Sequence, residues 1–324
     1  MCIRDSCIPV RKGAVALLGA GFSRSVGLPL MTELLGRSVP SDVIEIVRCL
    51  GGFGSDRAMG IEEFLTVCDF EDSIRLGGKR KNYSYISSFA AAIATSMFGM
   101  QKTPAFWNAV VDLLGSCETI ISLNWDTLLE VQAHAIGKSI GYIGTRADGR
   151  MNVLKPHGSI DWYRASRIGE LVSHKLFTPL FPGYVRYRPF SEEEHFFSVP
   201  HEFANLFNRV PPVIIAPTHL KAVPNGPLRG IWREAYNALE SASDVIVIGY
   251  SMPPSDHLIR LMLQRAIRYQ QILDFESAPR IIVVDPDSSG AVATRFSGLF
   301  GSYCHFIRRR FLEVRLVPAK GNNI

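Results

Sequence analysis

The chain has 324 residues, 47% of them hydrophobic, enough for one large domain with a substantial core. Lys and Arg number 35 against 30 Asp and Glu, a formal charge of +5; so small an excess suits an anionic small ligand, a nucleic acid or neither, and selects no partner. No apolar run reaches the roughly 18 residues a membrane helix needs, and the start, MCIRDSCIPVRKG, is too polar for a signal peptide. A cytoplasmic, reduced protein is expected, and no membrane partner.

Taken in chain order, the first element is AVALL (14–18), a short apolar run of the kind that forms a strand buried on both faces. It leads into GAGFSRSVGLP, with glycines at 19 and 21. Residues 40–112 have helical patterning with no comparable strand run, and read as a helical insertion. TIISL (119–123) is the next strand and ends in Asn124-Trp125-Asp126. LKPHGSIDWY (154–163) follows. Residues 163–212, rich in Phe, Tyr and Pro, read as an irregular lid, a partner-binding excursion or a plain packing layer. VIIA (213–216) is expected as a strand. GPLRGIWREAYNALESA (226–242) has helix periodicity through Leu228, Ile231, Trp232, Ala235, Tyr236 and Leu239. DVIVIGY (244–250) is a strand, 255–268 a helix with Asp256 as its cap, and RIIVVD (280–285) a strand. Strands and helices alternating in this way predict an α/β fold: a Rossmann-like, doubly wound parallel sheet with an inserted helical subdomain.

Six cysteines lie at 2, 7, 49, 68, 117 and 304, with no C-x-x-C pair, so neither a zinc cluster nor a disulfide framework is expected. The basic runs GGKRKNY (77–83) and FIRRRF are short; the first reads as a solvated loop, and the second as the flank of an edge strand. With no recognition motif, direct nucleic-acid binding is not expected.

Polar residues at the ends of parallel strands lie where α/β ligand sites form. The G-A-G turn either offers backbone amides to a phosphate or is a structural turn. It lacks the third glycine of G-x-G-x-x-G, whose place Arg24 takes, and it has no G-K-[ST], so it is not a triphosphate loop. Ser23 either donates to a phosphate or caps a helix. Asn124 suits a ribose hydroxyl or a water, or simply ends its strand; Asp126 orients a ligand or caps the helix beginning TLLE. His157, before Gly158, is either a proton acceptor near neutral pH or a surface turn histidine. His219 and His257 are further pocket candidates, and His134 an ordinary helical residue. Ser251 suits ribose or phosphate. Asp285 suits two ribose hydroxyls or, with Asp287 and Ser288, a helix cap.

Together GAGFSRSVGLP, SLNWD, KPHGSIDW, GYSMPPSD and VVDPD resemble the SIR2-like family in order and spacing, over about residues 13–163 and 213–290. The resemblance implies one SIR2-like domain over 1–324 that cleaves the nicotinamide–ribose bond of NAD, with NAD as substrate. It implies that Gly19, Ala20, Gly21, Phe22 and Ser23 line the dinucleotide, and that Gly249, Ser251 and Asp285 hold its other portions. Asn124 and Asp126 would arrange the reactive ribose, and His157 would be the base. The zinc cysteine pairs of deacylating sirtuins are absent, and their Phe-Arg is replaced by Met31-Thr32 after Gly27-Leu28-Pro29-Leu30. K-P-H-G-S-I-D-W is more similar to the bacterial SIR2-like branch associated with NAD depletion in antiphage defence, whose members often work with a sensing domain or partner protein. The implied activity is an NAD glycohydrolase with no zinc. The alternatives are NAD-dependent deacylation or ADP-ribosyl transfer, and a non-catalytic NAD-binding sensor or assembly subunit. Unchecked NAD hydrolysis would harm the cell, so gating by homo-oligomer assembly or by an activating partner is expected on that ground rather than from the residues.

Overall fold

A seven-stranded sheet, every neighbouring pair parallel, organises the chain. The computed structural model describes residues 7–30, 33–34, 63–67, 81–98, 103–142, 151–164, 196–198, 214–215, 227–268, 271–272 and 278–319. The chain begins with β1 (Cys7–Val10) and β2 (Val15–Leu18), followed by the short helix α1 (Ala20–Arg24). Next come α2 (Lys81–Phe98), α3 (Pro104–Ser116), β3 (Thr119–Ser122) and α4 (Leu128–Ala135). Strands β4 (Ile140–Gly141), β5 (Met151–Leu154), β6 (Trp162–Arg164) and β7 (Phe196–Ser198) follow. The last part holds α5 (Pro227–Glu240), β8 (Asp244–Ile248), α6 (His257–Leu263), β9 (Arg280–Val284), α7 (Ala291–Phe300), β10 (Cys304–Ile307) and β11 (Arg315–Pro318).

The sheet order is β10-β9-β8-β2-β3-β5-β4. Leaving aside the two-residue edge strand β4, this is the order of a doubly wound dinucleotide-type sheet, with the chain reversing direction between β2 and β8. The fold expected from the sequence is therefore present. The central strands are buried along their whole length, which explains why AVALL, TIISL, DVIVI and RIIVV read as uninterrupted apolar runs. Register then aligns their ends: Leu18 pairs with both Ser122 and Ile248, and Ile248 with Val284. Whatever follows these residues emerges on one edge of the sheet.

Helix α3 shows how the layer over the sheet is specified. Thr103 caps it by accepting the Phe106 amide at 3.3 Å, Pro104 occupies the first turn, and Phe106, Ala109, Val110, Leu113 and Leu114 form the buried stripe. Phe106 meets Phe22 of α1 with ring centroids 5.6 Å apart, and Phe22 meets Phe311 at 5.2 Å. Within 40–112 the described residues at 63–67, 81–98 and from 104 are helical, with Thr103 as a cap; the rest of that stretch lies outside the described residues. Most of 163–212 does too, apart from the antiparallel pairing of β6 with β7. No helix among the described residues is long and apolar enough to cross a membrane.

Two local expectations are corrected. Of VIIA only Ile214 and Ile215 are among the described residues, and they are not paired with a strand of the sheet: Ile214 makes a single antiparallel bridge with Gly158, and Ile215 donates its amide to the His157 carbonyl at 2.9 Å. The segment serves as a brace for the turn after β5. Asp256 stands before α6 but makes no side-chain cap bond; its carboxylate is engaged elsewhere, as described below.

At the opposite edge of the sheet, fully buried Asp244 accepts from the Arg11 amide and Nε, both at 2.8 Å, and from Arg280 Nε at 2.8 Å and Nη2 at 2.7 Å. Burial pushes its pKa up, but the hydrogen bonds from Arg280 and Arg11 outweigh burial and hold the carboxyl below the usual range. Removing one partner of a buried charge cluster strands the others. Asp244→Asn is expected to destabilise the fold by about 2–4 kcal/mol at neutral pH. A depressed carboxyl contributes in full above its unfolded pKa and loses its contribution as pH falls through the folded value. The gap between wild type and variant in urea unfolding should therefore close below about pH 4.

Candidate active site at the switch point of the sheet

The loops after β2 and β8 meet where the strand order reverses. A Cβ on Gly19 would lie 2.6 Å from the Gly249 carbonyl oxygen, and one on Gly249 would lie 2.4 Å from the Phe22 nitrogen. Gly249 also has φ +60°, a conformation that side chains disfavour. The glycines thus let two backbones touch. Gly21 donates its amide to the Gly249 carbonyl at 2.9 Å, and Phe22 donates to Gly19 at 3.0 Å. These two amides hold the turn together instead of facing the open side. The Phe22 side chain, 1% exposed, belongs to the core. Helix α1 ends after five residues because Ser25 returns its hydroxyl to the Phe22 carbonyl and the left-handed Gly27 precedes Leu28-Pro29.

Beneath this contact Ser23, Asn124 and Asp126 form one hydrogen-bonded chain. Asn124 Nδ2 donates to the Gly19 carbonyl at 3.0 Å and to Ser23 Oγ at 2.9 Å, and Ser23 Oγ donates to Asp126 Oδ2 at 2.7 Å. Asp126 Oδ1 accepts the Leu128 amide at 3.0 Å, so this carboxylate both starts α4 and anchors Ser23. Asn124 Oδ1 takes no hydrogen bond among the described residues and remains an acceptor.

His157 lies in the turn after β5. Gly158 has φ +78° and donates to the Lys155 carbonyl at 2.9 Å, which closes the turn. Trp232 of α5 donates its indole N–H to the Pro156 carbonyl at 2.8 Å, and its ring lies 6.2 Å from the imidazole. His157 is 7% exposed, so it is not a surface turn residue. Its Nε2 faces Asp256 Oδ1 at 3.8 Å, and the other Asp256 oxygen accepts the Tyr250 hydroxyl at 3.3 Å. The two groups form an ion pair only when the imidazole is protonated.

The more distant expected residues sit on the same edge but are tied locally. Ser251 is exposed, and its carbonyl accepts Arg295 Nε at 2.7 Å. Half-buried Asp285 accepts the Asp287 amide at 2.9 Å, and burial pushes its carboxyl up. Asp287 is lowered to about 2, chiefly by the Ser289 hydroxyl. His257 contacts the Ser255 carbonyl at 3.2 Å, His134 is exposed on α4, and His219 lies outside the described residues. No group of three His, Cys, Asp or Glu side chains among the described residues is placed to share a metal ion.

No family model matches the chain, and no curated protein does. Solved structures align over most of it. A structure concerned with the mechanism and regulation of Sir2 enzymes has 15% identity and a TM-score of 0.45, covering 96% of this chain and 89% of that one. One concerned with sirtuin substrate affinity has 17% identity and a TM-score of 0.45, covering 93% and 90%. A complex of SIR2 with the inhibitor EX-527, 2'-O-acetyl-ADP-ribose and a deacetylated p53 peptide has 16% identity and a TM-score of 0.44, covering 93% and 89%.

Sequence reasoning did not assign Lys155, Ser159, Glu130, Tyr250 or the role of Asp256. Lys155 is 0% exposed and bonded within the protein. One signal for it was available, a lysine at the end of the buried run NVL, where an unpaired ammonium would be costly. Asp256 gave no such signal, because His157, which it faces, comes from the loop of another strand.

Proposed function

We propose that the protein hydrolyses NAD to nicotinamide and ADP-ribose. The observation that carries this reading is the buried Asn124–Ser23–Asp126 chain beneath the Gly19–Gly249 contact, on the same sheet edge as His157. The motifs that resemble the SIR2-like family follow β2, β3, β5, β8 and β9, five strands whose ends are side by side. That supports reading them as one site.

In the reaction the bond between nicotinamide and the ribose C1 breaks, the pyridine nitrogen keeps the electron pair, and water supplies the oxygen that joins C1. Asn124 Oδ1 orients the water or a ribose hydroxyl. His157 accepts the proton, and Asp256 stabilises the resulting imidazolium. Asp126 holds Ser23 and Asn124 in place, and its negative charge favours a cationic transition state. The backbone at Ala20, with Ser23, Gly249, Ser251 and Asp285, contacts the rest of the dinucleotide beside the turn that the Gly19, Gly21 and Phe22 amides close. The similarity of KPHGSIDW to the defence-associated branch supports a role in NAD depletion during phage infection, gated by self-assembly or a partner protein.

The test compares nicotinamide release from NAD by wild type and Asn124→Ala. Loss of one preorganised polar contact to the reacting centre is expected to lower kcat by about 10²–10³-fold. Equal turnover in the two proteins sinks the assignment. Nicotinamide release that requires an acylated peptide or a protein acceptor would favour deacylation or ADP-ribosyl transfer instead.

A further inference from the structure

Lys155 follows the last residue of β5, and its side chain is completely buried. Lysine is almost never fully buried without partners, and here every partner can be named. Nζ donates to the Asp126 backbone carbonyl at 2.5 Å and to Ser159 Oγ at 2.7 Å, and it lies 3.0 Å from Glu130 Oε1. Glu130 also accepts the Tyr142 hydroxyl at 3.2 Å. Burial pushes the Glu130 carboxyl up, and the Lys155 ammonium beside it pulls the other way. Ser159 passes its own hydroxyl on to the Trp125 carbonyl at 3.3 Å, which also receives the Ile160 amide at 2.9 Å.

These bonds run between two turns that carry different parts of the site. Trp125 and Asp126 lie in the turn after β3, beside Asn124. Lys155 to Ile160 form the turn after β5, which contains His157. One ammonium, one hydroxyl and the Ile160 amide fasten the backbone of the first turn to the second. We infer that Lys155 is a positioning residue: it fixes the Asn124–Asp126 turn against the His157 turn, so that the acceptor amide and the proton-accepting imidazole act on the same ribose. The inference rests on the proposed NAD hydrolysis and assigns to it a residue that touches no substrate.

A purely structural ion pair behaves differently from a positioning one. Exchanging a buried pair for neutral groups is often harmless to stability, whereas removing one partner leaves the other stranded. Lys155→Met alone should therefore lower Tm, because Glu130 is left buried without its cation. The double variant Lys155→Met/Glu130→Gln should recover Tm towards wild type. Its kcat for nicotinamide release should stay about 10²-fold below wild type with KM for NAD unchanged, the effect of a small misplacement of reacting groups. Glu130→Gln alone keeps the bonds to Asp126 and Ser159 and should keep kcat close to wild type. Ser159→Ala loosens the second tie and should lower kcat less, again without moving KM.

The measurements are kcat, KM and Tm for all four variants. A double variant with wild-type kcat overturns the inference. So does Glu130→Gln losing as much activity as the double variant, which would put the effect in the ion pair. Should the double variant fail to fold, wild-type kcat in Ser159→Ala overturns it. Wild-type protein that releases no nicotinamide in any assembled form overturns the proposed reaction and, with it, this role for Lys155.

Discussion

His157→Ala is expected to lower nicotinamide release from NAD by roughly 10²–10⁴-fold, the range for loss of a positioned proton acceptor. The turn around it should survive. Its shape comes from Gly158 at φ +78°, from the Gly158 amide on the Lys155 carbonyl, and from the Ile215 amide on the His157 carbonyl. None of these uses the imidazole. The variant should therefore unfold in urea close to wild type while its kcat collapses. A parallel loss of stability and activity would show that the ring's packing near Trp232 matters more than its chemistry.

The second large effect is on the architecture. Gly249→Ala is expected to destabilise the protein by about 2–5 kcal/mol, the sum of backbone strain at φ +60° and steric overlap. The overlap is specific: the new methyl would lie 2.4 Å from the Phe22 nitrogen and 2.6 Å from the Gly21 Cα. Neither is the movable end of a side chain, so the loops after β2 and β8 must separate. Gly290→Ala is the control, because Gly290 has φ +80° but nothing within 4 Å of its Cβ position. It should show backbone strain alone, about 1–2 kcal/mol. Equal losses in the two variants, measured by urea unfolding, would mean that the contact at the switch point contributes nothing.

The parallel sheet could be read from the sequence because its central strands are buried on both faces, and an unbroken apolar run is the direct consequence. Strand β5 lacks that signature. It is four residues long and carries Asn152 among MNVL. VIIA shows the opposite failure: its described residues, Ile214 and Ile215, brace the His157 turn. Composition does not distinguish a strand from a single bridge.

Within the candidate site, Asn124, Asp126 and His157 stand out in the sequence because polar residues interrupt apolar strands there. Their partnerships do not stand out. Ser23 reads as a phosphate donor or a cap, yet its hydroxyl goes to Asp126, about a hundred residues away in the chain. Asp256 reads as a helix cap, yet it faces His157 and Tyr250. The amides of Gly21 and Phe22, read as candidates for a phosphate, close the turn on Gly249 and Gly19. Local spacing reports local bonds, whereas Asp126, His157 and Gly249 reach Ser23, Asp256 and Gly21 from loops of other strands.

The most direct measurement is to incubate the purified protein with NAD alone, without any acyl or protein acceptor, and to quantify nicotinamide and ADP-ribose in the same samples. Equal amounts of the two, rising together as NAD disappears, is the predicted result. NAD that binds and remains intact in every assembled form of the protein, or nicotinamide that appears only when an acyl or protein acceptor is added, would contradict hydrolysis as the reaction of this site.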